Sequence, residues 1–545
     1  EMHSVGEDGV GLLKFDFLGI KNLAILADAV KRVKKIHGVE VDIENVDVAD
    51  TKTFKMLARG ETMGLFQLNG TGMTSFLKQL KPSTIHDINA MVALYRPGPM
   101  ESIPDYIERK HDASLVTFLD PRLEKILDRS YGVITYQDDV MMISIALAGY
   151  SWLDADKLRK AMGKKIPEVM EAEKAKLMDG FRDFGKLSPT VADKLWERIE
   201  PFAAYGFNKA HAASYGRVAY QTAYMKANYP EEYMASVLTA DAGDTEKISE
   251  IIHECERMEL EVLPPDINES FAPFSVVPAK DGEDAKIRFG LTTIKNFGEG
   301  IANAIIEERK ENGDFISLTD LLTRVHDKNL NKKSIEALIM TGALDRFEER
   351  GKMYANVDSL LGFNKEQVAG IAASQDSLFG GMDTAINELT LHDVDPATKE
   401  QKLLWEKELL GVYVSGHPLD QFKDELDKRT NIRQIIQAVE DEDKMTIVQL
   451  KGTLAIAGMI ENVKELLTKK GDHMAFVKLG NLTDSIEMVT FPETYETYKD
   501  LLVAGNCVAI KGKLSIRNDE PSILVDKIKS LAPKSDSTDT ELTQV

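Results

Sequence analysis

The chain has 545 residues, 43% hydrophobic and 29% charged, which excludes a disordered polymer and predicts several globular domains. No apolar run approaches the ~20 residues of a membrane helix, and two cysteines cannot supply a disulfide framework or a zinc site, so we expect a soluble, cytoplasmic protein with no membrane partner. The net charge of −22 argues against uniform coating of nucleic acid but allows a local basic groove.

The predicted elements change character three times along the chain. Residues 11–20 indicate a short buried strand followed by the start of a helix, and residues 21–269 are mostly helical, with Pro and Gly at the breaks. Residues 295–350 are helical in two similar units, and a further helix is predicted over residues 399–410. After residue 443, five alternating apolar runs separated by turns predict a small β-barrel.

The first candidate site is a carboxylate inside the apolar run at the start of the chain. In the sequence KFDF, Lys14 and Asp16 share one face of a strand, opposite Phe15 and Phe17. A buried Asp costs several kcal/mol unless it is paired or binds a metal. The residues alone leave two alternatives open, a Lys–Asp pair at a strand end and a metal ligand.

A basic segment lies in the long helical region, at residues 157–165. Helical spacing of three and four places Lys157, Lys160 and Lys164 on one face, with Arg159 beside them. Such closely spaced cations repel one another, and bound phosphates would relieve the repulsion. The alternative is an ordinary solvated face.

Two further segments combine cations with aromatic residues. Residues 204–211 (AYGFNKAH) contain Lys209, and residues 95–99 (YRPGP) are followed by an Arg-Lys-His run at 109–111. An aromatic ring beside a cation can stack on a base while the cation binds phosphate. Each segment could instead be a solvated surface, but three basic segments in an acidic protein favour a phosphate-rich ligand.

Residues 294–306 and 330–343 have the pattern of tandem helix-hairpin-helix units. Gly298 and Gly300 allow a tight turn at a helix N-terminus, whose backbone N–H groups can hold a DNA phosphate. Gly342 gives the second unit its own glycine turn. Either unit could instead be a packing hairpin without DNA contact.

A short peptide in polar sequence has the composition of a docking motif. It combines a Gln, an aliphatic residue and a terminal aromatic, which a peptide can anchor in a hydrophobic pocket of a partner. Its residues are Gln375, Asp376, Ser377, Leu378 and Phe379. A local core anchor is the alternative.

The β-rich segment 444–532 is typical of an OB barrel, a fold that often binds single-stranded nucleic acid and also serves as a scaffold. Several aromatic and basic residues are expected to line its groove: Phe476, Lys478, Phe491, Lys511, Lys513 and Arg517.

A series of longer motifs carries a family resemblance. LLKFDFLGI, ALYRPGPM, YGVITYQDDVM, LAGYSWLDADKLRKAMGKK, PFAAYGFNKAHAASY, LPPDIN and WEKELLGVYVSGHPL occur in this order. Together they closely resemble the catalytic alpha subunits of bacterial DNA polymerase III, the family C replicative polymerases, over residues 5–530.

The resemblance implies a mainly α-helical multidomain fold with a C-terminal all-β OB barrel and a remnant of an α/β palm. The implied domains are the end of the palm (1–21), the fingers (22–272), a clamp-binding region with tandem helix-hairpin-helix motifs (273–435), the OB domain (436–532) and a disordered tail (533–545).

The resemblance also implies roles for single residues. Asp16 matches the third metal-binding aspartate of the family's catalytic palm, which holds Mg²⁺, and Lys14 lies close by as a contact to the incoming triphosphate. The remaining implied nucleotide-binding cations belong to the fingers: Arg159, Lys160, Lys164 and Lys209. Gly298 and Gly300 would bind DNA, and residues 375–379 would bind the sliding clamp.

The implied activity is template-directed DNA synthesis by a DNA-directed DNA polymerase, a nucleotidyltransferase acting on deoxynucleoside triphosphates and primed template DNA. Further implied partners are the clamp-loader and proofreading exonuclease subunits. We expect the chain to be a fragment without polymerase activity of its own, because one carboxylate cannot hold two metal ions. The alternative is a non-catalytic scaffold that binds DNA and the sliding clamp.

Overall fold

The computed structural model divides the chain into two compact units, Glu1–Asp241 with Val276–Ala285, and Ala242–Ser275 with Lys286–Val545. We call them unit 1 and unit 2. The structure describes residues 17–164, 167–205, 207–279, 283–376, 389–440, 443–450, 452–468, 470–482, 484–517 and 520–531.

Unit 1 is helical. Its helices are α1 (Lys21–His37), α2 (Thr51–Ala58), α3 (Thr71–Leu80), α4 (Ile85–Leu94), α5 (Ile103–His111), α6 (Glu124–Leu127), α7 (Gln137–Ala148), α8 (Trp152–Lys164), α9 (Pro167–Asp183), α10 (Pro189–Tyr205), α11 (Lys209–Asn228) and α12 (Pro230–Ala240). Short 3-10 turns lie at Ile43–Asn45, Pro99–Ser102, Ala113–Leu115, Pro121–Leu123 and Asp128–Ser130.

Helix α11 is central to unit 1, because it packs against α1, α2, α4 and α12. The contact with α4 is close: a Cβ on Gly216 would lie 1.9 Å from Oδ1 of Asn89, so a larger residue there would have to displace the Asn89 side chain. Helix α4 begins at a capping box, in which Thr84 accepts a hydrogen bond from the Asp87 N–H and Asp87 accepts one from the Thr84 N–H.

Past residue 241 the elements are α13 (Thr245–Arg257), β1 (Val262–Leu263), β2 (Ser275–Val277), β3 (Lys286–Arg288), α14 (Glu299–Asn312), α15 (Leu318–Arg324), α16 (Lys332–Met340), α17 (Arg350–Ala355), α18 (Val357–Asp376), α19 (Lys399–Leu410), α20 (Lys423–Asp427), α21 (Ile432–Glu440), α22 (Lys444–Leu450), β4 (Thr453–Leu467), β5 (His473–Gly480), β6 (Ser485–Thr490), α23 (Pro492–Tyr498), β7 (Cys507–Arg517) and β8 (Glu520–Ser530). Further 3-10 turns lie at Leu291–Thr293 and Pro418–Phe422.

Strands β4 to β8 form a closed barrel in the order β4-β5-β6-β8-β7. The β6–β8 pair is parallel and the other pairs are antiparallel. Alternate residues such as Ile456, Val477 and Ile510 fill the interior, and Ile432 and Ile435 of α21 join the same core. A five-stranded barrel of this order is an OB fold.

The predicted fold class is confirmed for the helical regions and the barrel, while the segment predicted to be the end of the palm lies mostly outside the described residues, as does the predicted tail. The helix predicted over residues 399–410 is present. The predicted domain boundaries remain predictions. Within the described ranges, no helix is long and apolar enough to cross a membrane.

The first alternating run, which begins at residue 446, predicts a strand too early: residues 446–450 belong to helix α22, and strand β4 begins at Thr453. Asp443 accepts hydrogen bonds from the N–H groups of Met445 and Thr446, which starts the helix. Ile447 and Leu450, three residues apart, then pack against the barrel core, so the apolar residues satisfy a helical period as well as an alternating one.

Candidate functional site

The structure brings two of the predicted basic segments together in unit 1. The guanidinium carbon of Arg96 lies 4.2 Å from the centre of the Phe207 ring, and the Phe207 carbonyl accepts a hydrogen bond of 2.9 Å from the N–H of Gln137 at the start of α7. Phe207 packs against Tyr136. We call Arg96, Tyr136, Phe207, Lys209 and His211 the Arg96–Lys209 cluster.

Lys209 is fixed to the start of α7 from two sides. Its backbone N–H donates to Oδ2 of Asp138 at 2.8 Å, and its ammonium nitrogen lies 3.7 Å from Oδ1 of Asp139. The same ammonium is 5.3 Å from the centre of the Tyr136 ring, within cation–π range. The Lys209 side chain is half exposed, with 52% of its surface accessible, so it can reach an external anion.

Asp139 is a buried carboxylate with an unusual proton affinity. Burial raises the pKa of Asp139 to about 6, against the opposing effects of hydrogen bonds from the Thr135 and Tyr136 N–H groups and of the Lys209 charge. Asp139 therefore changes its charge in a mildly acidic range, directly beside the half-exposed Lys209 ammonium.

A row of rings extends from the Arg96–Lys209 cluster along α11. The His211 ring lies 5.1 Å from that of Phe207 and 4.1 Å from that of Tyr215, and Tyr215 is 5.2 Å from Phe66. Positions 211 and 215 are one turn apart on α11, so the helical period aligns them, while Phe207 lies just before the helix. His211 is exposed, which leaves one ring of the row accessible for stacking.

The first predicted basic segment occupies α8, where an acid already neutralises two of its cations. Asp156 accepts from Arg159 at 2.7 Å and from Lys160 at 2.8 Å, and these hydrogen bonds, that of Lys160 first, lower the pKa of Asp156. Lys157 is exposed. Lys164 ends the helix, and its side chain lies outside what the structure describes.

The two groups of cations adjoin the same helix, since α8 packs against α7 and Lys209 contacts the first turn of α7. Repulsion among cations on α8 is weaker than the sequence suggests because Asp156 lies one turn before Arg159 and Lys160.

The run at residues 109–111 is structural. The Lys110 ammonium, 7% exposed, lies 3.0 Å from Asp87, which is 1% exposed, and it also donates to the Lys81 carbonyl and the Ser83 hydroxyl. His111 bonds the Gln79 carbonyl at 2.9 Å. Lys110 is therefore not available for phosphate in this arrangement, whereas the His111 ring is exposed.

The first helix-hairpin-helix unit presents an uncapped helix start. Gly298 is the N-cap of α14, no side chain of the described residues caps it, and Gly298 and Gly300 are both exposed. The left-handed residue of the turn is Asn296, with φ of 68°, so the tight turn does not use a positive φ at either glycine. The free N–H groups at this helix start suit a phosphate.

The second unit differs from the first in its cap. Asn331 and Ser334 form a capping box at the start of α16, so side chains of the chain itself occupy these N–H groups. At its end, Gly342 adopts φ of 81°, and a Cβ there would lie 2.2 Å from Nη2 of Arg350. This geometry fits the packing alternative for the second unit.

Several predicted site residues lie outside the described residues. These are Lys14, Asp16, Ser377, Leu378 and Phe379. Gln375 and Asp376 end α18 with a helical backbone, and their side chains are not described. Within the described ranges, no three His, Cys, Asp or Glu residues group as metal ligands. Asp16, the predicted Mg²⁺ ligand, lies outside these ranges, so the magnesium site remains a prediction.

The residues predicted to line the OB groove divide between two sides of the barrel. Phe476 and Lys478 lie on β5, and Phe491 follows β6, whereas Lys511 and Lys513 lie on β7. Lys478 pairs with Glu461 at 3.2 Å.

Sequence reasoning missed three residues of these sites: Asp139, Tyr136 and Asp156. Asp156 could have been found from its i, i+3 and i, i+4 spacing to the cations. Asp139 could not have been found from sequence spacing, because it is near Lys209 only through the packing of α7 against the start of α11.

Comparison with known proteins agrees with this architecture. The profile of the bacterial DNA polymerase III alpha subunit finger domain matches residues 22–185, a helix-hairpin-helix motif matches residues 259–353, and an OB-fold nucleic acid binding domain matches residues 454–531. The chain is 40% identical over 536 residues to the DNA polymerase III subunit alpha of Saccharopolyspora erythraea, covering 95% of this chain and 43% of that protein.

The chain belongs to the family of bacterial DNA polymerase III alpha subunits. The family member of Thermus aquaticus is 40% identical over 496 residues, which cover 90% of this chain and 39% of that protein. The family member of Aquifex aeolicus is 40% identical over 507 residues, which cover 93% of this chain and 41% of that protein. The chain therefore spans less than half the length of these relatives, and the family resemblance predicted from the motifs is confirmed.

Proposed function

We propose that this chain takes part in template-directed DNA synthesis, as part of the catalytic subunit of a bacterial replicative DNA polymerase. The observation that supports this most directly is the Arg96–Lys209 cluster, in which two segments more than a hundred residues apart in sequence combine two cations with a row of rings. Cations bind phosphates, and an accessible ring stacks on a base, so the cluster suits a nucleotide or a nucleic acid strand.

The proposed role of the cations follows from the chemistry of nucleotidyl transfer. Negative charge develops on the leaving pyrophosphate, and cations fixed beside it stabilise the transition state more than the ground state. We assign this role to Arg159, Lys160, Lys164 and Lys209. Asp156 would release Arg159 and Lys160 when a triphosphate, with its larger charge, takes over their hydrogen bonds. Lys14 and Asp16, by resemblance, would contribute the triphosphate contact and one Mg²⁺ ligand.

The test is Arg159→Ala in a polymerase assembled from this chain and a complete palm. We expect kcat/KM for deoxynucleotide incorporation to fall by about 100-fold, equivalent to ~2.7 kcal/mol for one lost charge-assisted contact, while the Kd for primed template DNA changes less than threefold. Arg182→Ala is the matched control, because Arg182 is an exposed helical arginine paired with Asp179, and it should leave both quantities unchanged.

Equal losses of nucleotide use and DNA binding in Arg159→Ala would contradict the nucleotide role. If no such assembly incorporates nucleotides while the chain still binds DNA, the scaffold alternative is favoured and the polymerase proposal fails.

The proposed contact with the sliding clamp depends on residues 375–379 and is supported by their sequence. Leu378→Ala combined with Phe379→Ala should reduce clamp binding at least 100-fold and leave affinity for primed DNA unchanged, because the pair supplies the apolar anchor. Leu404→Ala, an exposed leucine on α19 with 66% of its surface accessible, is the control. Clamp affinity unchanged in the double variant would remove this peptide as the contact.

A further inference from the structure

One side of the OB barrel carries four lysines that the proposed function has not used. Lys511 and Lys513 lie on β7 and Lys527 and Lys529 on β8, and all four are exposed. Lys511 lies directly opposite Lys527 in the antiparallel register. Residues two apart on a strand are ~7 Å apart and opposite residues ~5 Å apart, so the four form a compact basic face.

None of the four lysines of the basic face has an acidic partner within ion-pairing distance among the described residues. The exposed carboxylate of Asp526 lies beside them on β8. Like charges directly opposite each other destabilise a strand pair. In a chain with a net charge of −22, four unpaired lysines on one side of a barrel therefore indicate an anionic partner.

The shape of the basic face favours one kind of polyanion. The residues of β4 that face β7 at this side are small: Ala455 is opposite Lys511, and Thr453 is opposite Lys513. Strands β7 and β8 contain no aromatic residue. Single-strand binding sites combine cations with rings on which bases stack, whereas contact with a duplex backbone needs cations alone.

Aromatic rings and a cation occur together on the β5 side of the barrel. Phe476 and Lys478 are on β5, and the 46% exposed Phe491 follows β6. This is the side of an OB barrel that usually contacts single strands and sugars, and it is separated from the basic face around the barrel.

We propose that the basic face binds the phosphate backbone of duplex DNA. The choice of DNA over other polyanions rests on the proposed function, and the choice of a duplex rests on the absence of rings from β7 and β8. The contacts are to phosphates and so are independent of base sequence.

The test compares the whole chain with a variant in which the four lysines of the basic face are changed to Gln. A duplex contact contributes ~0.9 to the slope of log K against log salt for each phosphate, so four lost contacts lower the slope by about 3.6. Between 50 and 200 mM salt, the loss of affinity for a 20-base-pair duplex should then be about 150-fold smaller in the variant. Circular dichroism checks that the variant folds.

Two controls separate the sides of the barrel. The pair Lys511→Gln with Lys527→Gln should lower the slope by about 2, while Lys464→Gln with Lys478→Gln, exposed lysines of β4 and β5, should leave it unchanged. As a direct measurement, duplex DNA should protect Lys511 and Lys527, but not Lys464, from acylation detected by mass spectrometry.

Several outcomes would overturn the inference. An unchanged slope in the four-lysine variant, or an equal loss in the β4–β5 control, removes the basic face as the contact. A larger loss with a single strand of equal length assigns the face to single-stranded DNA and refutes the duplex. If the unmodified chain binds no DNA, the proposed function fails together with the inference. If the chain binds DNA in a salt-dependent way and the four substitutions do not change that binding, the inference alone is overturned.

Discussion

Glu406→Gln should strongly destabilise unit 2, because Glu406 is a fully buried charge with three partners. Its Oε1 accepts from Arg350 Nη1 at 2.7 Å, and its Oε2 accepts from the N–H groups of Val414 and Ser415 at 2.8 and 2.9 Å. Glu406 is 0% exposed and the Arg350 side chain 4%. Helix α19 is thereby joined both to α17 and to the turn that follows α19.

The magnitude follows from the chemistry of the replacement. Burial alone would lower the pKa of Arg350, but its ion pairs with Asp345 and Glu406 raise it, so the guanidinium stays charged. Gln keeps the shape of Glu but presents one NH₂ group, which must face either Arg350 or the two N–H groups, donor against donor. Breaking a buried pair in this way costs about 3–5 kcal/mol.

Trp405 offers a local probe of this loss, because it neighbours Glu406 and its ring lies 5.0 Å from that of Tyr354, tilted by 35°. With Trp152 and Trp196, the other two tryptophans of the chain, changed to Phe, urea unfolding followed by fluorescence reports on unit 2. Hydrogen exchange at the amides of Val414 and Ser415 should accelerate in parallel.

The control is Glu408→Gln, since Glu408 lies on the same helix and is exposed. It should change the free energy of unfolding by no more than about 0.5 kcal/mol. A loss below about 1 kcal/mol in Glu406→Gln, or unchanged exchange at both amides, would refute the reasoning that this carboxylate holds the three segments together.

Two further predictions concern unit 1 and the second helix-hairpin-helix unit. Burial raises the pKa of Asp139 to about 6, so between about pH 4 and 6 the folded chain keeps a proton that the unfolded chain releases. This group therefore makes unit 1 less stable as pH rises, by at most ~3 kcal/mol. Asp139→Asn should remove that part of the pH dependence of thermal unfolding, and identical pH profiles for the variant and the unmodified chain would contradict this prediction. Gly342→Ala should cost at least 1–3 kcal/mol through its left-handed backbone and its contact with Arg350, measured with Trp405. The helical control Gly362→Ala, with open space at its Cβ, should instead stabilise by up to ~1 kcal/mol, and a Gly342→Ala variant no less stable than the unmodified chain would disprove the steric argument.

Local patterns in the sequence were sufficient to predict most of the secondary-structure elements. The helix at 399–410 could be predicted because Thr398 and Gln401 form a capping box before it and Gly411 ends it. The helix at residues 446–450 could not be predicted, because their β-branched and apolar residues fit an alternating pattern and also satisfy a helical period once Asp443 caps the first turn.

The cations of the candidate site could be predicted from the sequence, but its acidic residues and the contacts between its side chains could not. Lys209 and Arg159 stand out in the sequence because each lies in a basic segment with a glycine or aromatic residue nearby. The proximity of Arg96 to Phe207 and of Lys209 to Asp139 depends on how distant helices pack, which no local period encodes. The lysine face of the barrel likewise needs the strand register, because β7 and β8 are paired only in the fold.

In the proposed nucleotide-binding role of helix α8, an anion must replace Asp156 as the partner of Arg159 and Lys160. A monovalent anion such as chloride or acetate would gain little from this exchange, whereas a ligand with several negative oxygens would satisfy both cations at once. Asp156 would then set a threshold of charge that favours polyphosphates, and it partly neutralises α8 while none is bound.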